Sequence, residues 1–143
     1  MIHSVLILSQ TGQPRLARFY EKISTSQFKS ICQKLTFYLN RTTESSSNFI
    51  FNDINLQNIF IVYRRYGALY FIVLADELEN ELACLDVIQC FAETLNLVFQ
   101  GVDENDLVTN VDKINYVLDE IICCGSIVCV DKNEAFSGYR SLL

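Results

Sequence analysis

The stretch Asn58–Asp76, NIFIVYRRYGALYFIVLAD, decides the fold. Two apolar runs, Phe60–Tyr63 and Leu69–Leu74, flank a charged break at Arg64-Arg65 followed by Gly67. Runs so rich in Ile, Val, Phe and Tyr predict strands, and unbroken apolarity predicts that both faces are covered. Gly67 takes a positive φ without steric cost, so a tight antiparallel reversal near Tyr66-Gly67 is the simplest connection. The hairpin is expected at the centre of a sheet with helices on both sides.

Upstream, Ile2–Ser9 predicts a central strand through the apolar block Val5-Leu6-Ile7-Leu8. Pro14 lacks an N–H and is expected to open the next strand, Arg15–Tyr20. That strand carries Arg15 and Arg18, so one side must face water or an acidic partner. Ser24 and Gln27 stand at capping-box spacing. Behind them Phe28, Ile31, Cys32, Leu35 and Leu39 recur at the spacing of one buried helical face. Arg41–Asn48 reads as a polar loop, Phe49-Ile50-Phe51 as a short strand, and Asn52-Asp53 as the start of a turn.

Downstream, Glu77–Gln100 predicts the longest helix, stopped by Gly101. Asp86, Gln89, Glu93, Asn96 and Gln100 form one narrow polar stripe, and the rest of the wheel is apolar well beyond the arc of a surface helix. Such a helix is either deep inside the domain or shared with another chain, and a second chain is the favoured cover. Glu77, Glu79 and Glu81 suit the helix dipole. Val102–Thr109 reads as an acidic irregular link, followed by a helix from Thr109 or Asn110 through Cys124 and a brief extended piece over Ser126–Val130. The tail Asp131–Leu143 reads as helix. The fold class is α+β, a five-stranded antiparallel sheet between helices in the order β-β-α-β-β-β-α-α, as one domain over residues 1–143.

Composition narrows the function. With 143 residues the chain builds a core without staples, and no apolar run reaches the roughly 18 residues of a bilayer span. The start lacks the basic segment of a signal peptide, so a cytoplasmic location is expected. A net charge of −6 argues against nucleic acid. Cys32, Cys84, Cys90, Cys123, Cys124 and Cys129 read as buried reduced thiols, and no CxxC pair points to zinc. His3 is the sole histidine and reads as solvated. Asp103, Glu104 and Asp106 lack the spacing of a calcium loop. No catalytic, metal or cofactor motif stands out, so the chain is not expected to be an enzyme. Arg15, Arg18, Arg64 and Arg65 read either as edge charge that deters aggregation or as a cationic patch for a peptide carrying a carboxylate and aliphatic side chains.

Three segments carry a resemblance: MIHSVLILSQTGQPRLARFYEKI, the run from IVYRRYGALYFIVLAD through LDVIQCFAETLNLVF, and NDLVTNVDKINYVLDEIICCG. Together they resemble the small (sigma) chain of the clathrin-adaptor complexes across residues 1–128. QPRLARFY and LDVIQCFAETL lean toward the complex serving endosome-to-lysosome traffic. The resemblance implies a longin-like fold without catalysis, held in a heterotetramer with two large adaptin chains and a medium chain. It implies peripheral association with Golgi, endosomal or coated-vesicle membranes. It also implies recognition of acidic dileucine sorting signals in cytoplasmic tails of membrane cargo. By position, Arg15 would meet the hydrophilic side of the signal, while Gly67, Leu69, Ala92, Val102 and Leu107 would line or border the pocket for its two aliphatic side chains. Asn105 stands there in place of the family's usual Leu, and Ala92 in place of Val. A longin-type regulatory or scaffolding subunit that binds no cargo is the alternative.

Overall fold

The computed structural model describes residues 1–41, 46–53 and 56–142, and for 46–53 and 56–58 the backbone alone. In chain order these form β1 (Ile2–Ser9), β2 (Pro14–Phe19), α1 (Thr25–Leu39), β3 (Ser46–Asp53), β4 (Leu56–Tyr66), β5 (Leu69–Asp76) and α2 (Glu81–Phe99). Then come α3 (Glu104–Thr109), α4 (Val111–Ile121), β6 (Ile122–Cys123), β7 (Ser126–Ile127) and α5 (Lys132–Arg140). The main sheet has five strands in the order β2-β1-β5-β4-β3, antiparallel throughout. The β4–β5 hairpin holds β5 at its centre, as its apolar composition predicts. The chain reverses through Gly67-Ala68, with Tyr66 opposite Leu69 and Gly67 at φ +61°.

Register assigns the faces, because residues directly opposite one another share a side. Val5, Ile7, Val62, Phe71 and Val73 point toward α2; Leu6, Leu8, Ile61, Tyr63, Ile72 and Leu74 point toward α1. Arg64 and Arg65 do not break β4. They lie opposite Phe71 and Tyr70, hence on opposite faces, and each guanidinium covers an aromatic ring, Tyr66 at 5.5 Å and Tyr70 at 5.8 Å. Arginine stems laid along rings let the strand run through its charges.

The α1 side follows local rules. Ser24 caps α1: its Oγ accepts from Gln27 N at 3.2 Å, and Gln27 Oε1 accepts from Ser24 N at 2.9 Å. Ile31, Cys32, Leu35 and Leu39 are buried, and part-buried Phe28 meets Phe19 edge to face at 5.6 Å. Of the expected loop over Arg41–Asn48, residues 42–45 lie outside the described residues. The backbone from Ser46 is already strand, so β3 is longer than its apolar triplet indicates and includes Asn52-Asp53.

Several expectations on the α2 side need correction. The helix begins at Glu81, because Asn80 takes the cap by accepting from Leu82 N (2.8 Å) and Ala83 N (3.4 Å). Only Glu81 therefore lies in its first turn; Glu77 and Glu79 precede it. It ends at Phe99 with Gln100 itself left-handed at φ +54°, ahead of Gly101 at φ +107°. Much of the surplus apolar arc is covered by the chain itself, while Leu82 and Leu97 stay 70% and 40% exposed. The sheet covers one side, and α4 and α5 of the same chain pack on the other. Cys84, Val87, Ile88, Cys90, Phe91, Ala92 and Leu95 are all buried, together with Ala135 and Tyr139 of α5. A helix wet along one stripe here packs against the sheet and against two helices of its own chain.

The link after Gly101 contains α3 rather than irregular chain, and α4 stops at Ile121, giving way to the β6–β7 hairpin. That hairpin brings Cys123 and Cys124 to the surface, against the expectation of buried thiols, with Cys124 left-handed at φ +51°. Cys32, Cys84 and Cys90 are buried, and burial pushes their thiols up to about 11, 12 and 11. His3 is buried too, its ring edge-on to Phe19 at 6.0 Å.

Candidate functional site

The site residues implied by the resemblance lie on several elements of the α2 side. Leu69 opens β5 directly after the Gly67 turn, Ala92 lies in the middle of α2, and Leu107 lies in α3. They are 6%, 2% and 0% exposed and belong to one apolar cluster, against which Val102, Tyr66 and Phe99 pack. Phe71 joins Tyr66 (5.1 Å between ring centroids) to Phe91 (5.9 Å) beneath. Gly67 and Asn105 are exposed, one at the hairpin turn and one on the outer side of α3. Three of the named residues are thus buried in one extended apolar cluster, Val102 packs against it, and Gly67 and Asn105 stand at the surface.

Arg15 reaches the same region through a bulge. Ile7 faces Leu16 while Leu8 faces Pro14, so Arg15 is an extra residue in edge strand β2. Bulges re-aim side chains, and this one also places Pro14 where no ladder donor is needed. Arg15 Nε donates to Glu104 Oε1 at 2.6 Å, across 89 positions of sequence. Arg18 likewise finds acceptors within the chain, Asp119 at 2.8 Å and Asn115 at 3.3 Å, both on α4. The acidic partner demanded by the two β2 arginines is therefore the chain's own α3–α4 segment. With Arg64 and Arg65 on opposite faces, the four arginines do not make one patch.

The carboxylates of the link are structural. Asp103 caps α3 by accepting from Asp106 N at 2.9 Å, and Asp106 Oδ2 accepts from Asp103 N at 3.0 Å. Glu104, the first helical residue, is thereby presented toward Arg15. Asn96 Oδ1 of α2 accepts from Val102 N at 3.2 Å and ties the link down. Among the described residues no group of three or more His, Cys, Asp or Glu could hold a metal ion. Sequence reasoning missed Glu104 and Tyr66 as site neighbours. A contact 89 residues apart leaves no local trace, and Tyr66 reads only as part of the reversal at Gly67. Burial pushes the Tyr66 phenol up despite the nearby Arg64. Two open hollows lie on the α1 side, away from this cluster: one of about 330 Å³ lined in part by Gly12, Cys32 and Phe37, the other of about 280 Å³ at Phe19 and Phe28.

A family model described as the clathrin adaptor complex small chain matches residues 1–139. The AP-3 complex subunit sigma of Dictyostelium discoideum is 39% identical over 146 aligned residues, covering 98% of this chain and 84% of its own length. The Arabidopsis thaliana AP-3 complex subunit sigma is 36% identical, covering 99% of this chain and 86% of its own. Human AP-3 complex subunit sigma-2 is 33% identical, covering 94% and 70%. A chain in a homology model of the full-length AP-3 complex in a stretched open conformation matches with a TM-score of 0.78 at 31% identity, over 99% of this chain and 93% of that one. The chain belongs to the clathrin adaptor complex small-chain family, non-catalytic subunits of vesicle trafficking with the longin-like sheet and helices described above.

Proposed function

We propose that this chain is the sigma subunit of an AP-3-type heterotetramer, beside two large chains and a medium chain, on the cytosolic face of endosomal or Golgi membranes. The observation that carries this reading is that relatives named as AP-3 sigma subunits align over 94–99% of the chain. Affinity capture of the tagged chain from native cells, with mass spectrometry of co-purifying proteins, tests it. The expected result is a stoichiometric set of AP-3 large and medium chains; recovery of another adaptor's large chains would overturn it.

Within that complex the chain contributes part of a site for acidic dileucine signals. Support comes from a cation, Arg15, beside an apolar cluster of Leu69, Ala92 and Leu107 bordered by Val102. Burying two leucines is worth ~1.5–3 kcal/mol each. Association costs leave a contact of roughly micromolar strength. Leu69 is a poor probe, because a polar residue at that buried position breaks the core itself. Val102→Ser at the border is better and should weaken an acidic dileucine peptide about fivefold in the assembled complex, for roughly 1 kcal/mol of lost apolar contact. Equal affinity would favour the alternative, a scaffolding subunit without cargo contact, which the closed state of the cluster supports.

A further inference from the structure

We propose that α3 is a lid on the apolar cluster, latched by the Arg15–Glu104 ion pair and released when an acidic residue of the bound peptide takes Arg15. The inference rests on the dileucine reading and adds to it a regulator from the chain's own residues. Leu69, Ala92 and Leu107 are almost without exposed surface. A close-packed interior does not accept two leucine side chains without something moving. β5 is the centre of the sheet and α2 the centre of the helical layer, so neither can yield cheaply. α3 can. It is six residues long, too short to hold itself as a helix. It is divided from α4 at Asn110, whose φ −125° and ψ +39° are not helical and whose side chain makes no cap bond to α4. It contributes one fully buried side chain, Leu107, and it lies against β2 where Arg15 grips its first residue.

The latch suits exchange. Arg15 and Glu104 are 29% and 39% exposed, so their attraction is screened and one carboxylate replaces another at little net cost. A peptide carboxylate that captures Arg15 frees Glu104, α3 lifts with Leu107, and the space Leu107 leaves is offered to the aliphatic pair. The acidic and apolar halves of a signal are then coupled through this chain, with the first half opening the place for the second.

Amide hydrogen exchange on the assembled complex without peptide tests the latch. The reporters are Leu107 N and Asn110 N, which donate within α3 to Asp103 O and Asp106 O. Glu104→Gln and Arg15→Gln should each speed their exchange about two- to fivefold, the range of a part-exposed ion pair. The double variant should exchange no faster than either single one. Arg15→Gln leaves the sequence of α3 untouched, so it separates loss of the latch from loss of a favourable charge at the helix start. Unchanged exchange in Arg15→Gln, or additive effects in the double variant, would overturn the latch even if peptides bind. In titrations, Glu104→Gln should raise the affinity of a dileucine peptide with Gln at its acidic position by the same factor. A gain confined to the acidic peptide would overturn the lid and leave Glu104 a simple competitor. Failure of every peptide to bind, in wild type and variants alike, would overturn the cargo reading, while faster exchange would still establish the latch.

Discussion

The two faces of the sheet are covered in different ways. On one, a single helix, α1, lays Ile31, Cys32, Leu35 and Leu39 on the strands and leaves its back to solvent, including Phe37 at 60% and Tyr38 at 51% exposure. On the other, α2 is itself covered by α4 and α5, and the cluster around it runs from the sheet to Tyr139. A one-layer cover needs one apolar stripe; the middle of a two-layer cover needs an arc that leaves only a stripe polar. The width of an apolar arc therefore reports how many layers touch a helix, not whether those layers belong to the same chain.

Removing residues 131–142 would break this comparison most severely. With α5 gone, Val87–Leu95 loses cover on one side, and cooperative unfolding in urea should be lost or accompanied by self-association. A truncated chain that unfolds cooperatively at the parent midpoint would show α5 to be an accessory. Next in size is the contrast between core truncations. Phe91→Ala, at the middle of the thick layer, should cost about 3–5 kcal/mol, and Leu35→Ala on α1 about 2–4, both read from denaturant midpoints. A smaller test contrasts two left-handed glycines. A Cβ at Gly12 (φ +88°) would stand 2.6 Å from Thr36 Oγ1, and that hydroxyl is held by Cys32 O at 2.7 Å; at Gly67 nothing lies within 4 Å. Gly12→Ala should cost about 2 kcal/mol and Gly67→Ala about 1. Equal costs would mean the β1–β2 turn does not rest on α1.

The smallest effect is a pH dependence confined to the α1 side. Burial holds the His3 imidazole below its usual range, opposed by the Glu21 carboxylate. The unfolded chain thus binds the proton more readily, so this contribution is complete above the unfolded value of about 6.5 and is lost as pH falls through the lower folded one. His3→Phe should remove that part of the stability loss between pH 7.5 and 5.5. An unchanged slope would move the effect to other groups.

What the sequence made legible was whatever is decided locally. The capping box at Ser24, the spacing along α1, the opening of β2 at Pro14 and the reversal at Gly67 each follow from a few neighbouring residues. The faces of β4 and β5 were legible in composition, but the direction of Arg64 and Arg65 was not, since alternation gives sides only once the register is known. α3 was hidden because its cap is a pair of carboxylates in a run that reads as solvated acid. α5 is legible as a helix but not as a cover for α2, since Ala135 and Tyr139 are its buried contacts in an otherwise polar segment. The wide arc of α2 is legible, but its cover is not: from Val87 to Leu95 the chain buries it itself, while Leu82 and Leu97 stay exposed. At the candidate site, the apolar character of Leu69, Ala92 and Leu107 is legible and the Arg15–Glu104 pair is not, because an 89-residue contact is a property of the fold.

The buried face of α2 from Val87 to Leu95 is closed by its own chain, while Leu82 and Leu97 of the same helix stay exposed. Amide hydrogen exchange of Val87–Leu95, in the chain alone and within the assembled complex, tests it most directly. Slow exchange is expected in both, at the rate set by global unfolding. Rapid exchange in the chain alone, with protection gained only on assembly, would contradict it and return the second face of α2 to a partner.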